Sequence, residues 1–222
     1  MGEKQSDAAT AGVPATAGVP ATAGLAGIEV HPVTPDRWDD MVALFNTSSV
    51  MSSCWCMHPR TRSKDFSRFG AESRRRNRQA MHDLIASGTV PGLLAYVEGH
   101  PAGWISVGPR EAFARLRHSR PLRPVDDLPV WSIVCFYTHP DYRQRGITRV
   151  LIQAALHYAA GHGAPAVEAY PLSGWGESVD PSDAYTGLAG TFRDLGFHVV
   201  RANAGSSRGQ PRLIVRYDLP RP

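Results

Sequence analysis

The chain has 222 residues, and its 24 Lys and Arg against 20 Asp and Glu give a formal net charge of +4. No stretch reaches the roughly 18 consecutive apolar residues of a membrane span, which excludes a membrane-spanning helix. Three Cys are too few for a disulfide framework and favour a reducing compartment. The sequence therefore predicts a cytoplasmic, single-domain protein whose basic balance suits a polyanionic ligand.

The N-terminal segment differs in composition from the rest of the chain. Residues 9–25 repeat ATAGVP twice and then end in ATAGL. Small side chains and recurring Pro offer too little apolar area to offset the conformational entropy lost on ordering. We expect residues 1–27 to form a disordered tail rich in Ala, Gly, Pro and Thr, and residues 28–222 to form the folded domain.

The folded part predicts alternating strands and helices. In chain order they are a strand at 28–33, helices at 37–45 and 66–86, a hairpin of strands at 93–97 and 104–107, a strand at 130–138, a helix from 147, a strand at 166–170, a helix at 185–195, and strands at 197–201 and 213–217. The strand at 130–138 is rich in β-branched and aromatic residues and is predicted to be central. This order indicates an α/β protein with a mixed sheet.

A basic loop containing Gly146 joins the predicted central strand to an amphipathic helix. The first amides of a helix lack internal acceptors, and the helix dipole places partial positive charge there. Gly146 has no Cβ to hold a phosphate away from the backbone. Neither the GxxxxGK[ST] nor the GxGxxG nucleotide motif occurs. The loop therefore predicts a different kind of site for the pyrophosphate of a nucleotide-type ligand.

Residues 143–148, RQRGIT, resemble the RxxGxG/A signature of the GNAT superfamily of acyl-CoA-dependent N-acyltransferases. The preceding CFYTHPDY and the later TFRDLGF at 191–197 are also similar to family segments, so the resemblance covers residues 28–219. It implies the GNAT fold, in which helices flank a mixed, mostly antiparallel central sheet with splayed central strands. It also implies acetyl-CoA as the acyl donor.

The resemblance assigns cofactor contacts to positions on both sides of this loop. Main-chain groups of Phe136 and Thr138 are expected to pair with the amides of pantetheine. Pyrophosphate contacts fall on Arg143, Arg145, Gly146, Thr148 and Arg149. Thr148 stands where the family usually has Gly or Ala, and its hydroxyl adds a donor.

Two catalytic residues of the family are missing from this sequence. Phe192 occupies the position of the usual thiolate-protonating Tyr, and Ser132 that of a Glu that some members use as a base. Tyr185, two helical turns before Phe192, is the predicted replacement for the acid. Glu168, a single acid in an apolar strand, is the predicted base. The alternative is that this residue is solvent-exposed at a sheet edge and has no catalytic role.

Residues 52–58, SSCWCMH, are predicted to line the acceptor side. In an extended backbone the thiols and imidazole of Cys54, Cys56 and His58 would share one side, but no companion motif supports a metal site, so a substrate-lining loop is favoured. Trp55, Tyr170 and Trp175 are the predicted acceptor contacts, although each Trp alone also fits a core position. The Arg-rich residues 74–78 indicate a solvated helix face rather than a nucleic-acid site.

The function implied is transfer of an acetyl group from acetyl-CoA to a primary amine of a small molecule. Direct attack in a ternary complex is expected, because no Cys or Ser is placed beside a His to form an acyl-enzyme. A catalytically weak acyl-CoA sensor and a protein Lys or N-terminal acetyltransferase are the alternatives. The sequence predicts neither a nucleic-acid nor a membrane partner, and it leaves a homodimer open.

Overall fold

The computed structural model describes residues 27–173, 184–207 and 209–220. The strands are β1 (Ile28–Pro32), β2 (Gly92–Val97), β3 (His100–Pro109), β4 (Trp131–Thr138), β5 (Ala166–Ala169), β6 (His198–Arg201), β7 (Ser206–Ser207), β8 (Gln210–Pro211) and β9 (Ile214–Asp218). The helices are α1 (Trp38–Asn46), α2 (Met51–Cys54), α3 (Ala71–Ala86), α4 (Ala114–Arg117), α5 (Ile147–Gly161) and α6 (Ala189–Asp194). The tail expected over residues 1–27 lies almost wholly outside the described residues and stays a prediction.

Seven strands form one sheet in the order β1-β2-β3-β4-β5-β9-β6, and β7 and β8 form a separate small hairpin. Only the β4–β5 pair is parallel in the main sheet, with α5 as the crossover between the two strands; the other pairs are antiparallel. The predicted central position of β4 and the predicted mixed, mostly antiparallel α/β sheet are both confirmed.

The two central strands separate part of the way along their length. The β4–β5 register ends at the pair Ile133 and Ala169, while β4 stays paired with β3 as far as Thr138. The second half of β4 therefore has one strand neighbour instead of two. This gap confirms the predicted splay of the central strands.

A β-bulge at Val134 changes the direction of the side chains on β4. Cys135 pairs with Ser106 and Ile133 with Val107, which leaves Val134 as the extra residue on its strand. Ile133 and Phe136 consequently face the core under α5, whereas Cys135 faces the opposite side of the sheet. The bulge thus places Cys135 on the face that α1–α3 cover.

Helix α5 packs its apolar stripe against one face of the sheet, as its sequence period predicts. The buried positions of the stripe include Ile147, Val150, Leu151, Ala154, Ala155, Tyr158 and Ala159. The core on the opposite face is built from α1, the residues around α2, and α3, with Phe45, Trp55 and Met81 almost fully buried. The structure therefore has helices on both faces of the sheet.

Three predicted elements differ from the structure. The helix expected over residues 66–86 begins only at Ala71, after Gly70 at φ 81°. The helix expected over residues 185–195 is interrupted by Gly187 at φ 82°, which separates a 3₁₀ turn at Ala184–Thr186 from α6. Residues 54–58 are not extended, because Cys54 ends a helical turn and Trp55 and Cys56 both have positive φ.

None of the helices in the described ranges is long and apolar enough to cross a membrane.

Candidate active site

The loop between β4 and α5 brings a row of backbone amides to the start of a long helix. A 3₁₀ turn at Pro140–Tyr142 follows β4, and Gly146 then precedes the first residue of α5 with φ 75°. A side chain at this left-handed position would be strained, which explains the Gly. The local sequence therefore sets both the turn and the direction in which α5 begins.

The amides of residues 145–148 have no hydrogen-bond acceptor among the described residues, as expected for the first turn of a helix. They provide the free donors and the positive dipole end that a pyrophosphate requires. The side chains of Arg143 and Arg145 are exposed beside them, and the Arg145 guanidinium lies 5.3 Å from the centre of the Tyr142 ring. These residues fit the predicted phosphate site.

Arg149 differs from its predicted role. Its amide donates to the Gly146 carbonyl at 2.9 Å, and its guanidinium contacts the Asp194 carboxylate of α6 at 2.5 Å. The amide is therefore already used within the fold. The ion pair connects the first turn of α5 to α6, so the Arg149 side chain is held beside the predicted phosphate site while its N–H is used within the helix.

The unpaired half of β4 contains the two residues predicted to contact pantetheine. Phe136 and Thr138 pair with β3, and no strand covers their other side within the described part of the chain. The Phe136 ring lies 6.0 Å from that of Phe192, which is fully buried and also packs on Phe197 at 5.0 Å. Phe192 thus lies beside β4 and brings no hydroxyl group to it.

A buried hydroxyl that the sequence did not single out lies in the turn packed against β4. Thr186 is 3% exposed, and its Oγ1 has no hydrogen-bond partner among the described residues. Buried hydroxyls in proteins are usually hydrogen-bonded, so this one is available to a ligand or to water. The preceding residue, Tyr185, lines the neighbouring cavity.

A cavity of about 550 Å³ opens beside β4 on the face covered by α1–α3. Its lining comprises Val50, Met51, Cys54, His58, Pro59, Phe66, Ser67, Arg68, Phe69, Arg115, Cys135, Tyr185 and Ser207. The lining comes from α2, the loop before α3, α4, β4 and the turn containing Tyr185. The predicted substrate-lining role of the segment around Cys54 and His58 agrees with this placement.

Positive charge surrounds His58 in this cavity. Burial and then the guanidinium groups of Arg115, Arg212 and Arg68 lower the pKa of His58 from 6.5 to about 4. The imidazole is therefore uncharged at neutral pH. Its ring lies 6.2 Å from the Tyr185 ring and 5.1 Å from the Phe66 ring.

Arg115 holds the loop on which His58 stands. Its Nε donates to the His58 carbonyl at 2.8 Å, and its Nη1 donates to the Ser63 hydroxyl at 2.7 Å. Burial lowers the pKa of Arg115 from its usual value. Sequence reasoning missed Arg115, because only the fold brings it to a loop about 50 residues earlier.

Glu168, the predicted base, lies in a buried network that is separate from the cavity. Arg216 donates to its Oε1 from Nη2 at 2.7 Å and from Nε at 3.2 Å, and the Tyr170 hydroxyl lies 3.4 Å from its Oε2. Arg216 also pairs with Asp126, whose pKa it lowers. The carboxylate is 1% exposed, so this ion pair favours a structural role over proton transfer.

The predicted acceptor contacts are not brought together. Trp55 is 2% exposed, stacks on Trp38 and donates from Nε1 to the Ser52 carbonyl. Tyr170 is 1% exposed and lies 2.8 Å from the Ser132 hydroxyl. Neither residue lines the cavity, because both are packed into the core, and Trp175 lies outside the described residues.

The cysteines near the cavity do not form part of a ligand cluster. Among the described residues no three His, Cys, Asp or Glu side chains are grouped to hold a metal ion. Cys56 is buried with its sulfur 3.3 Å from that of Cys135, and Cys54 faces the cavity. Burial raises the pKa of Cys54 to about 12, so its thiol stays protonated at neutral pH.

Comparison with known proteins identifies the family. One solved structure that shares the fold comes from Corynebacterium glutamicum and is described as histone acetyltransferase HPA2 and related acetyltransferase. It has 17% identity, a TM-score of 0.52 and coverage of 88% of this chain and 98% of that one. Another is yncA of Salmonella typhimurium, solved with its cofactor acetyl-CoA, with 14% identity, a TM-score of 0.51 and coverage of 87% of this chain and 95% of that one. No curated protein matches the sequence. The acetyltransferase (GNAT) family model matches residues 53–172, which is more than half of the chain. The protein therefore belongs to the GNAT acetyltransferase family.

Proposed function

We propose that the protein transfers the acetyl group of acetyl-CoA to a primary amine of a small molecule. One observation carries the proposal: the unpaired half of β4 contributes Cys135 to a cavity of about 550 Å³, and the loop that follows this half ends in a row of free helix amides. Cys135 lines the cavity, and three residues later Thr138 ends β4 before the phosphate loop. A donor bound along the strand would therefore present its acyl group to an acceptor in the cavity.

The donor is held by the half of β4 that has no second strand neighbour. Main-chain groups of Phe136 and Thr138 pair with pantetheine, in the manner of an added strand. The pyrophosphate binds the amides of Arg145, Gly146 and Thr148, with charge added by the Arg143 and Arg145 side chains. Acetyl-CoA is supported as the donor by its presence in the yncA structure.

The acceptor must lose a proton before it can attack. An alkylammonium with a pKa near 10.4 is about 99.9% protonated at pH 7. The guanidinium groups that lower the pKa of His58 would also lower the pKa of an ammonium bound beside it, which raises the fraction of free amine. His58 is unprotonated at neutral pH, lines the cavity and is the proton acceptor that we propose in place of Glu168.

The leaving thiolate needs a proton donor, and two hydroxyl groups are available. Tyr185, the acid predicted from the sequence, lines the cavity, where a proton donor to the thiolate has to lie. Thr186 follows it with a buried hydroxyl that lacks a partner among the described residues. We propose Tyr185 as the donor, with Thr186 as the alternative, because Phe192 has no hydroxyl.

Thiol release from acetyl-CoA in the presence of small amines tests the proposal. We expect turnover in wild type, with kcat lowered about 100-fold or more in Tyr185→Phe, the typical contribution of a general acid. The matched control is Tyr217→Phe, since that ring packs on Phe197, away from the cavity. Binding of acetyl-CoA without thiol release for any amine would favour the acyl-CoA sensor, and no binding would overturn the proposal.

A small-molecule acceptor fits this cavity better than a polypeptide lysine. The described lining holds Arg68, Arg115 and His58 and contains no carboxylate that would attract a lysine side chain. Acetylation of a lysine peptide at a kcat/KM above that of every small amine would favour the protein acetyltransferase. A cytoplasmic location, where acetyl-CoA and reduced thiols coexist, is part of the proposal.

A further inference from the structure

The described lining of the acceptor cavity gathers positive charge without a matching negative charge. Arg68 and Arg115 line it, Arg212 is close enough to act on His58, and no Asp or Glu is present in the described lining. Like charges held close together repel one another, and the repulsion grows as the surroundings lose water. Such a grouping is stabilised when a negatively charged ligand binds.

Of the two lining arginines, Arg68 has more hydrogen-bond donors unused among the described residues. It is half-buried, and its recorded contact among the described residues is the Phe69 ring, 5.5 Å from its central carbon. Arg115 uses Nε and Nη1 to hold the loop around His58, which leaves Nη2 for a ligand. In contrast, Arg216 and Arg149 are paired with carboxylates of the fold.

The remaining lining is largely apolar. Val50, Met51 and Phe66 supply hydrocarbon surface, and Phe66 also contacts the His58 ring. A volume of about 550 Å³ is within the range of small-molecule sites, roughly 300 to 1,000 Å³. A short hydrocarbon spacer between two polar ends of the acceptor fits these walls.

We propose that the acceptor amine also carries an anionic group, a carboxylate or a phosphate, which Arg68 binds with help from Arg115. The inference rests on the proposed function, since it names the substrate class of the same site. Planar guanidinium groups bind both anions through paired hydrogen bonds. The anion would also offset part of the positive charge around His58 and so raise its pKa towards that of a more effective base.

The test compares four amines with similar chain lengths: 4-aminobutyrate, 3-aminopropyl phosphate, butylamine and 1,4-diaminobutane. Binding to the CoA-loaded protein is measured by calorimetry, and kcat/KM by thiol release from acetyl-CoA. The variants are Arg68→Gln, Arg68→Lys, and Arg75→Gln as the control, because Arg75 is exposed on α3 and does not line the cavity.

We expect wild type to favour one of the two anionic amines over butylamine by at least about tenfold, the equivalent of about 1.4 kcal/mol. The anionic amine with the higher kcat/KM shows whether the acceptor carries a carboxylate or a phosphate. Arg68→Gln should lose this preference, because it should raise the KM for the favoured anionic amine by a larger factor than the KM for butylamine. Arg68→Lys should keep part of the preference, and Arg75→Gln all of it.

Two results would overturn the inference while leaving the transferase intact: faster turnover of butylamine or 1,4-diaminobutane than of both anionic amines, or an equal effect of Arg68→Gln on all four. Absence of calorimetric binding for both anionic amines would overturn it as well. Binding of an anionic amine that Arg68→Gln weakens, without thiol release, would uphold the anion site and count against the proposed transferase.

Discussion

His58 should make the folded protein sensitive to mild acid. Its pKa is about 4 in the folded protein, because of burial and the guanidinium groups around it, and 6.5 is the ordinary value. The unfolded chain therefore binds a proton more readily than the folded protein does. The contribution of uncharged His58 to the free energy of unfolding is complete above about pH 6.5 and is lost progressively as the pH falls towards 4.

The size of this effect follows from the pKa difference. A change from 6.5 to about 4 corresponds to at most about 3.5 kcal/mol, at about 1.4 kcal/mol for each pKa unit. Between pH 7 and pH 5 the free energy of unfolding should fall by about 1 to 2 kcal/mol through this group, allowing for the part of the ring that water reaches.

Urea denaturation at pH 7 and at pH 5 measures the effect in wild type and in His58→Gln. Other groups that titrate between these two pH values do so in both proteins. The difference between the two pH dependences therefore isolates His58. Parallel losses of stability in the two proteins would refute the reasoning, since they would show that His58 is not held uncharged by its surroundings.

Three further predictions address the phosphate site, the buried ion pair and the tail. Gly146→Val should raise the Kd for CoA at least about tenfold by calorimetry, because a side chain would crowd the phosphates; an unchanged Kd would refute the phosphate assignment. Glu168→Gln should lower the free energy of unfolding by about 3 kcal/mol, since it leaves Arg216 short of a charge partner, with kcat per folded enzyme unchanged. A selective loss of kcat at low pH in this variant would instead restore the predicted base role. Deletion of residues 1–25 should leave the melting temperature unchanged, and a clear drop would show that this segment packs on the domain.

The features that could be predicted from the sequence depend on local patterns. The apolar period of α5 and the β-branched run of β4 report which faces are buried, and both elements lie where they were expected. Gly146 could be placed in the turn before α5 because a Gly in a loop between a strand and a helix is a local signal. Each of these signals is contained within about fifteen residues.

The features that could not be predicted depend on packing between distant residues. The helix expected over residues 185–195 is interrupted at Gly187, where an added Cβ would lie 2.7 Å from the Phe192 ring and 3.4 Å from that of Phe136. A single Gly in a helical pattern does not reveal such a contact. Likewise, the SSCWCMH segment gives no sign that its backbone turns left-handed at Trp55 and Cys56.

The cavity could not be predicted for the same reason. His58 could be assigned to a substrate-lining segment, but its charge state depends on its burial and on Arg115 and Arg212, which the fold brings from about 60 and 150 residues away. Tyr185 lines the cavity even though the continuous helix from which it was chosen is interrupted. Tyr185 could thus be chosen for its hydroxyl group, although the continuous helix predicted to carry it is not present.

The positive charge of the cavity links the proposed chemistry to the stability of the fold. Guanidinium groups that bind an anion would also make an ammonium group easier to deprotonate, which matters in a chain with Ser132 where some members of the family have a Glu. Burial and the same groups keep His58 uncharged, and the repulsion among the guanidinium groups destabilises the unliganded protein. Binding of the anionic acceptor would relieve this repulsion, so 4-aminobutyrate or 3-aminopropyl phosphate should raise the melting temperature of wild type more than that of Arg68→Gln. An equal shift in the two proteins would show that the stabilising anion binds somewhere other than at Arg68.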